Sequence, residues 1–522
     1  MRPKRAGKRG FTEDDDRSAR SSKKGGKNKR DVTYETYDEA LDGGVEMEEK
    51  GERYKDGEKA QRFYEKAAEL YAKAFDFEHT FDAVYNQARV LYTLSTSFYL
   101  PPNAINHLES AINLYRLSTT LTDSSLLQMD AGYNLAQACA DLADMVEDVD
   151  SDDVRAEEVR ALREEGRVVL ERVIGGQEEF LINARSTEGS AEGDEEEVEA
   201  EAGATEMEVD DTEKETFETH LPTPSALLDS TLLLATLTLS LWEAVTPPEQ
   251  PPEAEQTAMR TLLDRIAPSV PPSRQAEADL TEIKILLTLD NLIWEMYHSP
   301  TSIQSLSGAI RALSALLASP MEDDSVRADI LGTLSDTHLE LASRCATLAS
   351  PAEDIWSHTG EAIRYLTQAL DLPMNASTPR EYKPSILLNL SKASLFRASL
   401  KGTYEAARRN ERQLLENATT YSARAMAGLG FGRKTAGLEI PFQRGWDTEL
   451  LAREILLHQL RIAFFTGGGE SSDLVDALRS VKEEERRIGR GDLRRYVLDL
   501  DLEQLSDEER MWWKGVERKL FD

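Results

Sequence analysis

The sequence predicts an all-α protein, a superhelical solenoid of antiparallel helix pairs. Three observations lead to this. Apolar residues recur at helical offsets along most of the chain, and no stretch alternates convincingly as a strand would. A small-large-small pattern returns from helix to helix. At 522 residues the chain is also too long for one compact core, which favours several domains or an elongated array.

Residues 1–32 form a polar, low-complexity tail expected to be disordered. Its first 30 residues hold 12 basic and 4 acidic side chains. Lys4 and Arg5, with Lys8-Arg9, make one basic cluster; Lys23, Lys24, Lys27, Lys29 and Arg30 make another. Two flexible basic clusters suit the acidic grooves of a nuclear import carrier.

From 33 to 185 the pattern is helical throughout. Ala60, Tyr64 and Ala67 stand at offsets 0, 4 and 7, and so do Ala104/Leu108/Ala111, Gly166/Leu170/Val173 and, later, Ala362/Leu366/Ala369. Such offsets place three side chains on one stripe, and the small ends let a neighbouring helix come close. A second helix type carries A-x-Y-N-x-A, at Tyr85-Asn86 and again at Tyr133-Asn134.

This alternation resembles the tetratricopeptide repeat family. Its first helix has a small central residue, matched by Ala88 and Ala136, and its second carries the small-large-small triplet. Ala369 through Pro373 resembles the family's proline-closed end of the second helix. Successive triplets lie 44 and then 62 residues apart, against a family period of about 34. The resemblance implies a TPR-like solenoid whose first helices line a peptide-binding groove.

Residues 186–220 interrupt the array. Between 188 and 218 there are 15 Asp or Glu and one Lys, with almost nothing apolar, so a disordered acidic insert is expected. Helical repeats resume over 221–427, with helices at Leu227–Trp242, 255–267, 273–297, 302–318, 323–347, 356–371, 385–399 and 404–427, punctuated by prolines. A flexible loop at 428–445 leads to a C-terminal helical cap, 446–522, with helices at 447–465, 471–488 and 506–519. Ser506 and Glu509 form a capping-box pattern. Trp512-Trp513 suit packing of the end helix.

Net charge is −35, or −43 once the +8 of residues 1–30 is set aside. Phosphate backbones need a basic footprint, so the folded body is not expected to bind nucleic acid directly. A basic partner fits better. No apolar run approaches the roughly 18 residues of a membrane span, and the basic N-terminus lacks an apolar signal core. A soluble protein is expected. Cys139 and Cys345 read as buried thiols.

Catalytic patterns are missing. GLGFGRKT at 428–435 has Arg433 between Gly432 and Lys434 and follows a helix, unlike a phosphate-binding loop. The seven histidines make no metal-ligand pattern. The chain reads as a non-enzyme without cofactor or metal.

What remains is surface. Asn86 and Arg89 sit three apart on one first helix, and Asn134 and Gln137 repeat that pair. These four are the candidate partner-binding residues, able to bond an extended peptide backbone. The heat-shock subgroup of the family holds a terminal carboxylate through a lysine that Tyr85 and Tyr133 replace here. In architecture and charge the chain resembles fungal chaperones dedicated to single ribosomal proteins, notably that of large-subunit ribosomal protein four. The expected function is therefore an acidic escort for a basic client, a ribosomal protein or a histone, shared between nucleus and cytoplasm. A repeat-class histone chaperone and an adaptor subunit of a transcription or translation complex are the alternatives.

Overall fold

The computed structural model describes residues 33–55, 57–149, 155–191, 221–321, 323–373, 378–430, 445–467 and 505–521, with a few positions between 493 and 500. The import clusters (Lys4, Arg5, Lys23, Lys24, Lys27, Lys29, Arg30), residues 192–220 and 431–444, and the helix expected at 471–488 lie outside them. The chain divides into Met1–Glu35 and Thr36–Asp522, and every described helix belongs to the second unit.

The helices are α1 Tyr37–Tyr54, α2 Gly57–Phe77, α3 Phe81–Ser97, α4 Asn103–Ser118, α5 Ser125–Val149, α6 Ala156–Ala191, α7 Pro224–Glu243 and α8 Glu253–Ile266. There follow α9 Gln275–Tyr297, α10 Ser302–Ala318, α11 Asp324–Thr347, α12 Ala352–Asp371, α13 Tyr382–Ser399, α14 Glu405–Gly428, α15 Trp446–Phe465 and α16 Asp507–Phe521. No strand occurs among the described residues. Packing is between chain neighbours, tightest in the pairs α1/α2, α3/α4, α5/α6, α11/α12 and α13/α14. Short connections make these pairs antiparallel.

The small-large-small stripes are the contact faces. Ala104, Leu108 and Ala111 have no exposed surface, and Ala60, Ala67, Leu170 and Ala362 none either. Burying one such leucine contributes roughly 2 kcal/mol. A Cβ on Gly166 would stand 3.0 Å from Leu237 and 3.3 Å from the Ala136 carbonyl, so the glycine admits two helices at once. Helix α1 uses the same device. Gly44 and Gly51, seven apart, face the rings of Tyr71 and Tyr64, which a Cβ would approach to 2.5 and 2.8 Å. Glycines in a helix each cost about 1 kcal/mol against alanine, and here they permit direct ring-on-backbone packing.

Caps follow the sequence. Thr36, Thr80 and Thr223 accept from the backbone three residues on, at 3.3, 3.3 and 3.1 Å. Ser506 does so from Glu509 at 3.1 Å. Only that half of the expected capping box forms, because the buried Glu509 carboxylate instead accepts from Arg461 at 2.8 Å. Trp513 is buried beside Tyr496, and Trp512 packs on Phe464, as expected of the end helix.

One expectation needs correction. Helix α7 is long and apolar enough, by length and composition, to cross a membrane. Leu227, Leu228, Leu234, Leu237 and Trp242 are nevertheless buried among α5, α6, α8 and α9, the place of a core helix. Helix α6 runs to Ala191, past the start expected for the acidic insert.

Helix α15 joins elements far apart in sequence. Trp446 is buried in the cluster built by α3 to α6, while Ala452 and Ile455 belong to the cluster of α11 to α14. Leu457 and Leu460 meet Tyr496 and Trp513, and Ile462 meets Leu395 and Ala418. The succession of helices from α5 to α13 is thus closed by α15.

Candidate protein-binding surface

Helix α3 presents Tyr85, Arg89, Tyr92 and Thr96 on one stripe. Helix α5 answers with Asp130, Asn134, Gln137, Asp141, Asp144 and Asp148, spaced 4, 3, 4, 3 and 4 apart. The buried Tyr85 hydroxyl donates to the Asp130 carboxylate and accepts from Asn134 Nδ2 at 2.7 Å. The Tyr92 hydroxyl donates to Asp141 at 2.5 Å.

The four candidate residues therefore have distinct places. Asn86 is 9% exposed and accepts from Arg89 Nη1 at 3.2 Å. Arg89 also reaches Glu48 of α1 at 3.0 Å, and Glu48 accepts from Tyr71. Asn134 ties Tyr85 to α5, and Gln137 is half-buried one turn further along. The two Tyr-Asn copies are not equivalent. Tyr133 points away from this face and lines a groove of about 640 Å³ with Met129, Pro222 and Asp229.

Toward its C-terminal end the α5 stripe meets α15. Trp446 Nε1 donates to Asp148 at 3.3 Å, and Arg453 stacks over the Trp446 ring at 4.9 Å. Gly445 lets this approach happen, since a Cβ there would stand 2.6 Å from the Thr96 carbonyl. Asp447 then projects beside Asp144 and Glu381; burial first, and these two carboxylates next, push its carboxyl up. Asp141 rises to about 6 for the same reason, burial, with Asp144 and Asp447 adding to it and the Tyr92 bond opposing. Asp144 and Glu147 grip the buried Arg163 at 2.8 and 2.6 Å.

The acidic character continues on α11. Asp329 and Asp336 keep solvent contact, yet the protein around them raises both, Asp336 to about 6 against the pull of Lys392 and Lys284. Lys392 itself is taken by Glu454 of α15 at 2.5 Å. A carboxylate that touches water but is hard to ionise sits in a recess whose walls displace part of its hydration. Spacing made the α5 stripe findable in the sequence; nothing local indicated that α11 and α15 join it.

Histidines and thiols serve packing. His458 is fully buried between Ser391 and Tyr496, at 2.9 and 3.0 Å. His338 Nδ1 lies 3.2 Å from His358 Nδ1, and burial lowers His338 to about 4. Cys139 and Cys345 are buried, and burial lifts the Cys139 thiol to about 12. No group of three or more metal-ligating side chains occurs among the described residues.

No protein-family model matches the chain, and no curated protein matches it. Among solved structures it is similar to the S. pombe nuclear import adaptor Nro1, at 11% identity over 80% of this chain and 99% of that one, with a TM-score of 0.27. A second structure, of Nro1 described as a hypoxic regulator of sterol synthesis and nuclear import adaptor, matches at 10% identity over 80% and 93%, with a TM-score of 0.27. Similarity at this level carries neither fold nor function to this chain.

Proposed function

We propose that this chain is a non-catalytic protein-binding scaffold, an acidic escort for a basic nuclear client such as a ribosomal protein. The supporting observation is the recess in which Asp141, Asp144, Asp329, Asp336 and Asp447, from three helices, outnumber the cations beside them. Strained carboxylates of this kind gain from a lysine or arginine that replaces their lost hydration. Asn134 and Gln137 extend the face along α5, and Arg89, oriented by Asn86, borders it from α3. A histone segment has the same chemistry and would occupy the same face.

The test is fluorescence anisotropy with a labelled Lys/Arg-rich peptide. Joint replacement Asp141→Asn, Asp336→Asn and Asp447→Asn should weaken binding about tenfold, from some tenths of a kcal/mol per partly exposed pair. Affinity should rise from about pH 5 to about pH 7, because the bound cation favours ionised carboxylates and binding below neutrality must release protons. Binding unchanged in the triple variant would sink the reading. Binding indifferent to salt would favour an adaptor subunit instead.

In this reading the basic tail carries the escort to the nucleus. Neutralising Lys23, Lys24, Lys27, Lys29 and Arg30 should leave a tagged chain cytoplasmic with unchanged thermal melting. Undiminished nuclear accumulation would remove the tail from the scheme.

A further inference from the structure

Arg397 of α13 is a cation without an anion. Its guanidinium carbon lies 3.5 Å from the centroid of the Trp356 ring on α12. One turn along, Gly360 leaves room for it, since even an added Cβ would remain 3.8 Å from Nη1. Tyr404, just before α14, closes the group with its ring 5.3 Å from Trp356.

Other enclosed arginines in this chain hold carboxylates. Arg163 has Asp144 and Glu147, Arg274 has Glu277 and Asp229, Arg344 has Asp290 and Glu340, and Arg461 has Glu509. Arg397 forms no ion pair among the described residues, and its Nε is buried with no hydrogen-bond partner. Burial lowers its pKa, with only Tyr404 acting the other way. Half-burying a guanidinium without a carboxylate is costly, and stacking on tryptophan recovers only part of that cost.

The surroundings are basic, against the trend of the chain. Residues 397–412 hold Arg397, Lys401, Arg408, Arg409 and Arg412 against Glu405 and Glu411, a net +3 in a chain of −35. Lys401 follows Arg397 by one turn, and Arg408 Nε donates to the Lys401 carbonyl at 3.3 Å, which draws the start of α14 onto this corner.

We propose that Arg397, with Trp356 and Tyr404, is the docking point for a carboxylate on an acidic segment of a partner protein. A guanidinium held flat on an indole is fixed in orientation, so its free edge can take a carboxylate in bidentate fashion. Lys401 and Arg408 supply the field that brings an acidic segment to this corner. The acid-lined recess and this corner would then select partners of opposite charge, and the second does not depend on the first.

The probe is a fluorescein-labelled acidic peptide of alternating Glu and Leu, prepared with a free and with an amidated C-terminus, beside a Gln/Leu counterpart. The wild-type chain should bind the acidic peptides and not the Gln/Leu one. Arg397→Gln should weaken that binding about tenfold or more, the usual loss for one charge-assisted bidentate contact. Arg397→Lys should fall between them, keeping the charge but losing the fork. Both variants should melt as the wild type does, since Arg397 holds no other side chain in place. If amidation abolishes binding, the ligand is a chain-terminal carboxylate; if not, it is a side-chain carboxylate. Absence of acidic-peptide binding by the wild type, or equal binding by Arg397→Gln, overturns the proposal.

Discussion

Replacing Arg344 by methionine is expected to destabilise the helical unit by about 3–5 kcal/mol. Arg344 is among the largest side chains with no exposure, and it stitches α11 to α9. Its Nε donates to Glu340 at 2.6 Å, while the two terminal nitrogens donate to Asp290 and Asn291. The guanidinium also lies 5.1 Å from the Trp294 ring. Methionine fills much of the volume but strands Asp290, whose side chain is 12% exposed, as a buried carboxylate without a counter-charge. Adding Asp290→Leu should recover most of the loss, because the penalty is the orphaned charge and not a missing attraction. Urea unfolding of the two variants decides it. A loss under about 1 kcal/mol for Arg344→Met would mean that water reaches the site.

Ala111→Arg should be comparably severe. Ala111 has no exposed surface and lies on the stripe of α4 that faces the cluster of Tyr85, Tyr115, Leu135 and Leu142. Overpacking costs about 1–3 kcal/mol, and an unpaired buried charge adds several more. The neighbouring Ser110 is exposed, so Ser110→Arg adds the same side chain on the solvent side. Thermal melting should fall sharply for the first variant and hardly move for the second. Equal melting of the two would mean that α4 is rotated from its assigned face.

The same stripe shows what the sequence made legible. Triplets such as Ala104, Leu108 and Ala111 encode burial through spacing alone, and helix ends from Pro224 to Phe465 fall within a few residues of expectation for the same local reason. Family membership did not follow from that spacing, because close helix packing imposes it on any helical pair. Gly44 and Gly51 carried a readable signal, two glycines seven apart on a helix, which makes sense only once Tyr71 and Tyr64 are seen opposite. The paired Asn86 and Arg89 looked like a ligand-facing set, but three-residue spacing equally lets them bond each other, and they do. Asp447 and Trp446 could not be placed in advance: their neighbours on α5 lie 298 residues away along the chain. Nor could spacing single out Asp336 among 96 acidic residues.

The seat of Trp446 has a consequence during synthesis. Its walls, from Phe81 to Leu162, leave the ribosome long before their plug is translated. At about 5–20 residues per second, the 298 residues separating Asp148 from Trp446 take about 15–60 s to make. For that interval the amino-terminal helices stand with an apolar notch open to whatever holds nascent chains. Any product that stops before Trp446 keeps the notch open for good, so early truncation should mark this chain for capture by the quality-control machinery.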